Sequence, residues 1–239
     1  MSELLLDPEQ QLELAVHLYT EGLFGIEEDP EKYARLKSER MSPHYFDARP
    51  GISDVETRDL IIGNMVDLAQ QRAIDVSKNE NIQFDEIYDH FAGTPEAMTS
   101  YAAMIADQTE MSLLQPRVDL FKTTGNKTPI LGRFNQGDRV AEFDDVVTDG
   151  ASKISTIKAL GEAGLTVVDY FVVLDREEGG APQVLSETGV EITPALGVAS
   201  MVKILQAEEL ISATQFDNVK QYIEEFGDPH AKAELGIVA

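Results

Sequence analysis

Residues 141–153 read Ala141-Glu142-Phe143-Asp144-Asp145-Val146-Val147-Thr148-Asp149-Gly150-Ala151-Ser152-Lys153, and this stretch decides the fold. An acidic pair and two β-branched residues lead into a Thr/Asp/Gly/Ala/Ser loop, and the loop opens a segment of helical character, Ile154 to Ala163. A strand that ends in small and polar residues before such a segment is a strand-to-helix turn. Turns of this kind aim backbone N–H groups at a helix N-terminus, where a phosphate can sit. The two carboxylates just before the loop are placed to grip hydroxyls beside that phosphate. The pattern therefore points to a ribose phosphate, with a βα-turn carrying chance acidic residues as the alternative.

Working outward, the segment Leu165 to Leu174 (LTVVDYFVVL) is nearly continuous in apolar residues, as a parallel strand covered on both faces should be. It ends in Asp175-Arg176-Glu177-Glu178-Gly179-Gly180, a polar cluster at the carboxyl end of a buried strand, where open α/β sheets bind ligands. Upstream, apolar spacing predicts helices over residues 8–23 and 54–74, the second with Asp54 as its N-cap. His17 on the first helix receives no catalytic role, and the acidic run Glu27 to Glu31 reads as a solvated connection. Phe84 to Tyr88 reads as a short strand running towards His90-Phe91-Ala92-Gly93-Thr94-Pro95, a second candidate anion turn before a helix through Ile105. Downstream, a short strand near 189–196 and helices near 198–211 and 215–226 are expected. Asp228-Pro229 is expected to close the last helix, leaving 227–239 as a loose tail.

The length of 239 residues suits one α/β domain spanning 1–239, and 43% hydrophobic with 26% charged residues reads as globular. The absence of Cys excludes disulfides, thiolate metal sites and a Cys nucleophile. A formal net charge of −24 disfavours nucleic-acid or anionic-membrane partners, which need basic surface. No apolar run approaches membrane-spanning length, and a cytoplasmic location is the default expectation. A protein this acidic binds a polyanion only by concentrating its few Lys and Arg, or by recruiting a cation such as Mg²⁺ held by oxygens.

Three segments, Ser42 to Arg49, Asp144 to Ser152 and Leu174 to Gly180, occur in the order and spacing of one family. Together they resemble the orotate phosphoribosyltransferases, type I enzymes that use phosphoribosyl diphosphate (PRPP). The resemblance implies a mainly parallel twisted sheet flanked by helices, with a small hood drawn partly from residues 1–50. It also implies transfer of the phosphoribosyl group from PRPP to orotate, with Mg²⁺ held mainly through PRPP oxygens and water, and a homodimer. By resemblance, Asp144 and Asp145 engage the ribose hydroxyls, and Val146, Val147, Thr148, Asp149, Gly150, Ala151 and Ser152 complete the PRPP loop. Lys37, Phe91 and Ala92 would lie at the diphosphate, and Arg117 and Lys122 on a basic loop over the leaving group, with Lys127 or Arg133 assisting. Tyr45, Phe46 and Thr148 would border the pyrimidine, and Arg176 would hold the orotate carboxylate with its planar fork.

The chain departs from the family pattern in several places. Glu39 stands where a glycine is usual, and Ala92 where a lysine is usual, with His90 near enough in sequence to compensate if protonated. The basic loop is thinned in charge, and Asp149 is an acidic residue in a phosphate loop. Its carboxylate is expected to point outward while its N–H points in. Two other readings stay open: a PRPP- or nucleotide-binding regulator without turnover, supported by Ala92 and the thinned loop, and a purine phosphoribosyltransferase. Against the latter, 6-oxopurine enzymes usually place Asp where Thr148 stands.

Overall fold

The computed structural model describes residues 6–36, 39–117 and 130–237. Helix α1 (Pro8–Thr20) opens on a capping box in which the Asp7 side chain accepts from the Glu9 and Gln10 N–H groups. Short strands β1 (Phe24–Ile26), β2 (Ala34–Arg35), β3 (Met41–Ser42) and β4 (His44–Phe46) then pair as two antiparallel ribbons, β1 with β4 and β2 with β3. Together they form the hood.

Helix α2 (Val55–Ser77) starts where Asp54 accepts from the Thr57 N–H, as the sequence predicts, and it runs one turn beyond residue 74. The expected strand at Phe84 to Tyr88 is instead a short helix, α3 (Phe84–Ile87), because Glu86 reaches back to the Gln83 N–H and favours a helical turn. The strand follows it as β5 (His90–Gly93), and then come α4 (Thr99–Gln108), β6 (Leu113–Pro116), β7 (Ile130–Leu131) and β8 (Arg139–Val147). After these come α5 (Ala151–Ala163), β9 (Thr166–Asp175), α6 (Gly180–Thr188), β10 (Ile192–Gly197), α7 (Val198–Ala207), α8 (Ala213–Phe226) and α9 (Pro229–Glu234).

Among the described residues the main sheet runs β10-β9-β8-β5-β6-β7, parallel except for β7. The chain travels outward from β5 to β6 on one side, and from β8 through β9 to β10 on the other. The order therefore reverses between β5 and β8, and ligands of open α/β sheets bind outside the carboxyl ends at such a point. Side chains alternate across the sheet into two cores. On one face Ala141, Phe143, Phe171 and Val173 pack against α1, α2, α4, α7 and α8, with Phe143 stacked on Phe171 at 5.3 Å. On the other, Val140, Tyr170 and Val172 meet Ile154 and Leu160 of α5 and Val184 of α6. Burying one such aromatic or aliphatic side chain contributes about 2–3 kcal/mol, so both helical layers are held firmly on the sheet.

The C-terminal region is not a loose tail. Asp228 caps α9 by accepting from the His230 and Ala231 N–H groups, and Ala231 and Leu235 are buried in the larger core. Asp228-Pro229 thus starts a helix, as proline in a first turn does readily. Helix α8 also fastens the hood: Gln215 donates to the Ile26 carbonyl and Asn218 to those of Glu27 and Glu28.

Candidate active site

The carboxyl ends of β5, β8 and β9 bring three turns together. The loop after β8, Thr148 to Gly150, leads into α5 with Gly150 at φ 76°, a left-handed conformation that suits glycine. This loop lies directly on the Gly179-Gly180 turn, since a Cβ on Gly180 would sit 2.4 Å from the Thr148 carbonyl oxygen. Ala151 and Ser152 at the start of α5 are exposed, so the helix N-terminus faces solvent as a phosphate site requires. Val146 and Val147 belong to β8, and their side chains pack in the cores; Val147 contributes its carbonyl, which accepts from the Arg176 N–H.

Asp149 is exposed, and its Oδ1 accepts from the Ala151 N–H at 3.1 Å. One of the donors expected to serve a 5′-phosphate is thus taken by the chain's own carboxylate.

The acidic pair divides. Asp145 is partly exposed, while Asp144 is 1% exposed and turned under α5. Asp144 Oδ1 accepts from the Asp145 N–H at 2.8 Å, and Oδ2 receives both the Lys153 ammonium and the Tyr170 hydroxyl, the latter at 3.2 Å. The Tyr170 hydroxyl also lies 2.9 Å from Thr94 Oγ1, and Thr94 Oγ1 donates to Glu142 Oε1 at 3.2 Å. Glu142 is fully buried, and its Oε2 has no hydrogen-bond partner. Burial, reinforced by the charge of Asp144, pushes its carboxyl up to about 8. Burial and then Asp144 likewise raise Asp145, and Lys153 opposes the shift.

Glu142, Lys153 and Tyr170 received no role from the sequence, and Thr94 was marked only as part of the candidate anion turn after His90. The available signals were a glutamate at an inward position of a buried strand and a lysine in the first turn of a helix that must cover apolar surface.

On the hood side, Arg176 is 3% exposed. Its Nε donates to Glu178 Oε1 at 2.8 Å, Nη2 to Ser42 Oγ at 2.9 Å and Nη1 to the His44 carbonyl at 3.4 Å, and its guanidinium lies 6.0 Å from the Tyr222 ring centroid. Glu178 Oε2 also lies 2.8 Å from Arg40, so the carboxylate ties the hood to the sheet. Arg176 therefore joins the carboxyl end of β9 to the hood, beside β4.

Of the adjacent aromatics on β4, Tyr45 is 48% exposed and Phe46 4% exposed. Alternation along a strand sends the two to opposite faces, so Phe46 packs in the core instead of bordering a ligand. Arg49 forms a two-point pair with Asp47, with Nε to Oδ1 at 2.7 Å and Nη2 to Oδ2 at 2.8 Å. It lies near enough to Asp145 to feel its charge.

Several expected contributors sit elsewhere. Phe91 and Ala92 are fully buried within β5, one in each core, so only the backbone near Gly93 and Thr94 reaches the edge. His90 begins β5, about 10 Å from its carboxyl end, and pairs with Asp138 at 2.9 Å; it does not replace the missing lysine. Arg133 follows β7, which runs antiparallel and carries it towards the opposite end of the sheet. Arg117 follows β6 at the correct edge and is exposed. Lys37, Lys122 and Lys127 lie outside the described residues.

No family model matches the chain. Among curated proteins it is 32% identical over 171 residues to the orotate phosphoribosyltransferase of Pyrococcus furiosus, covering 71% of this chain and 86% of that one. It is 31% identical over 204 residues to the uridine 5′-monophosphate synthase of Bos taurus, covering 85% of this chain but only 40% of that longer protein. Among solved structures, Leishmania donovani UMP synthase superposes with a TM-score of 0.71 at 24% identity, over 90% of this chain and 42% of that one. The orotate phosphoribosyltransferase of Aeropyrum pernix gives 0.63 at 22%, over 81% and 99%. An adenine phosphoribosyltransferase from Saccharomyces cerevisiae gives 0.53 at 13%, so the fold by itself does not choose the base.

Proposed function

The chain belongs to the orotate phosphoribosyltransferase family, and on that premise we propose that it transfers the phosphoribosyl group of PRPP to orotate, giving orotidine 5′-phosphate and diphosphate. The observation that carries this reading is the convergence of the Asp145 carboxylate, the open N-terminus of α5 and the Arg176 guanidinium around the carboxyl ends of β8 and β9. The first two suit the ribose hydroxyls and 5′-phosphate, and the third suits an acidic base.

The C1′–O bond to diphosphate breaks as the orotate ring nitrogen approaches the opposite face of the ribose. This chemistry needs no protein nucleophile. Catalysis comes from holding the reactants in line and from stabilising charge on the leaving group. Backbone N–H groups from Thr148 to Ser152 hold the 5′-phosphate, with Asp149 releasing the Ala151 N–H to it. Arg176 meets the orotate carboxylate by giving up part of its contact with Ser42 or Glu178, and the exposed ring of Tyr45 borders the base.

Mg²⁺ supplies charge neutralisation on the diphosphate when bound. Asp144 is engaged by Lys153 and Tyr170, so this turn offers no pair of carboxylates to cage a cation. That fits an ion carried by substrate oxygens and water. We place the reaction in the cytoplasm and in a homodimer. Among the described residues no helix is long and apolar enough to cross a membrane.

The test is a steady-state assay with PRPP, Mg²⁺ and a panel of bases, following the loss of orotate absorbance. Turnover of orotate alone is expected. Turnover of a purine and not of orotate refutes the acceptor, and PRPP binding without turnover of any base makes the chain a regulator.

A further inference from the structure

Buried beneath the signature turn is a charged network that the reaction scheme above does not use. Asp144 has both oxygens committed inside the protein: Oδ1 to the Asp145 N–H, Oδ2 to Lys153 and Tyr170. Lys153 has a side chain only 8% exposed, and Asp144's is 2% exposed, so the ion pair is sealed from solvent under α5. Tyr170 and Thr94 extend the network to Glu142 and to the turn after β5. In this arrangement one carboxylate of the acidic pair cannot reach a ribose hydroxyl without leaving a buried lysine unpaired, which is strongly unfavourable. The other carboxylate, Asp145, is partly exposed on the side of Arg49, and its Oδ1 is held by the Val146 N–H at 2.8 Å.

We propose that Lys153 is a positioning residue of the PRPP site: by binding Asp144 from beneath, it makes Asp144 the buried strut of the turn and leaves Asp145 as the carboxylate that meets the ribose. The inference rests on the phosphoribosyl-transfer reading and deepens it. Lys153 also balances the charge of Asp144 against Asp145, whose ionisation is opposed by burial and by that neighbour. The charged and titratable groups around the pair are Glu142 on β8, Tyr170 on β9, Lys153 on α5 and Arg49 from the hood. Of these, only Lys153 touches Asp144 as a cation. Linked to the turn after β5 through Tyr170 and Thr94, the strut also couples the ribose end of the site to its diphosphate end.

The experiment measures kcat and KM for PRPP against pH in the full chain and in variants. Lys153→Met is expected to raise KM for PRPP roughly tenfold and to move the acidic limb of kcat/KM up by about one pH unit, because Asp145 loses the balancing charge. Adding Asp144→Asn removes the unbalanced carboxylate, so Lys153→Met/Asp144→Asn recovers most of the loss. If both carboxylates held the ribose, the second substitution would deepen the loss, and that result overturns the proposal. So does an unmoved acidic limb in Lys153→Met. Should that variant fail to fold, Asp144→Asn and the double variant carry the same comparison: the double is the more active, and the reverse order refutes. The parent chain separates the two levels of the argument. Absence of orotate turnover there overturns the acceptor, while PRPP affinity by calorimetry still tests Lys153 with the same signs.

Discussion

Replacing Glu142 by Gln tests whether the buried network holds a neutral carboxyl. Glu142 is fully buried, accepts one hydrogen bond from Thr94 and has a second oxygen without a partner. Burial lifts its carboxyl from the ordinary 4.5 to about 8, so at neutral pH the folded chain keeps a proton that the unfolded chain releases. A raised carboxyl of this kind makes its most favourable contribution below the unfolded value. Its contribution falls as pH rises through the window and levels off above the folded value.

The slope is about 1.4 kcal/mol per pH unit, so over the window from 4.5 to about 8 it sums to roughly 5 kcal/mol. Gln has the same shape and does not titrate, so this slope vanishes in the variant. Its amide NH₂ takes the place of an acid O–H in the same tight site, at a cost of about 1 kcal/mol when unpaired. The two stability curves should therefore cross: Glu142→Gln slightly less stable near pH 5 and more stable by several kcal/mol at pH 8. Denaturant unfolding at pH 5, 6, 7 and 8 measures this directly. Burial also raises Asp175, to about 7, and Glu177, to about 8, but both are common to the two proteins and cancel in the difference. Parallel curves across the window would refute the assignment of a protonated Glu142.

Asp149→Ser removes the carboxylate that occupies the Ala151 N–H, and should lower KM for PRPP about five- to tenfold with little change in kcat; a rise in KM would show that the carboxylate supports the loop. Arg176→Ala should weaken orotate binding far more than PRPP binding, measured by calorimetry for each. It should also cost roughly 3 kcal/mol of stability, because Glu178 and Ser42 lose a buried partner; equal losses for the two ligands would remove Arg176 from the base site. Gly180→Ala places a methyl 2.4 Å from the Thr148 carbonyl, so the phosphate loop must shift, and PRPP affinity should drop at least about tenfold while the fold melts as a single unit. Unchanged PRPP affinity would mean that the loop's seating on this turn is unimportant.

The sequence by itself determined the architecture and marked the candidate donor turn. The Asp144 to Ser152 turn, the apolar strand that follows and the Asp175 to Gly180 cluster are local patterns, and each was readable because strand alternation, helix capping and glycine conformation act over a few residues. Asp54 capped the helix predicted for it for the same reason. What the sequence left open were choices settled by partners distant in the chain. Tyr45 and Phe46 are equally aromatic, and only the pairing of β4 with β1 decides which is outside. His90 looked like a cation near the anion turn, yet the parallel register puts it at the far end of β5 against Asp138, 48 residues away. Asp144 and Asp145 are identical in the sequence, and they differ because α5 folds back over β8 and delivers Lys153 to one of them. A buried charge must find a partner, and the partner that decides its role is chosen by packing, not by sequence spacing.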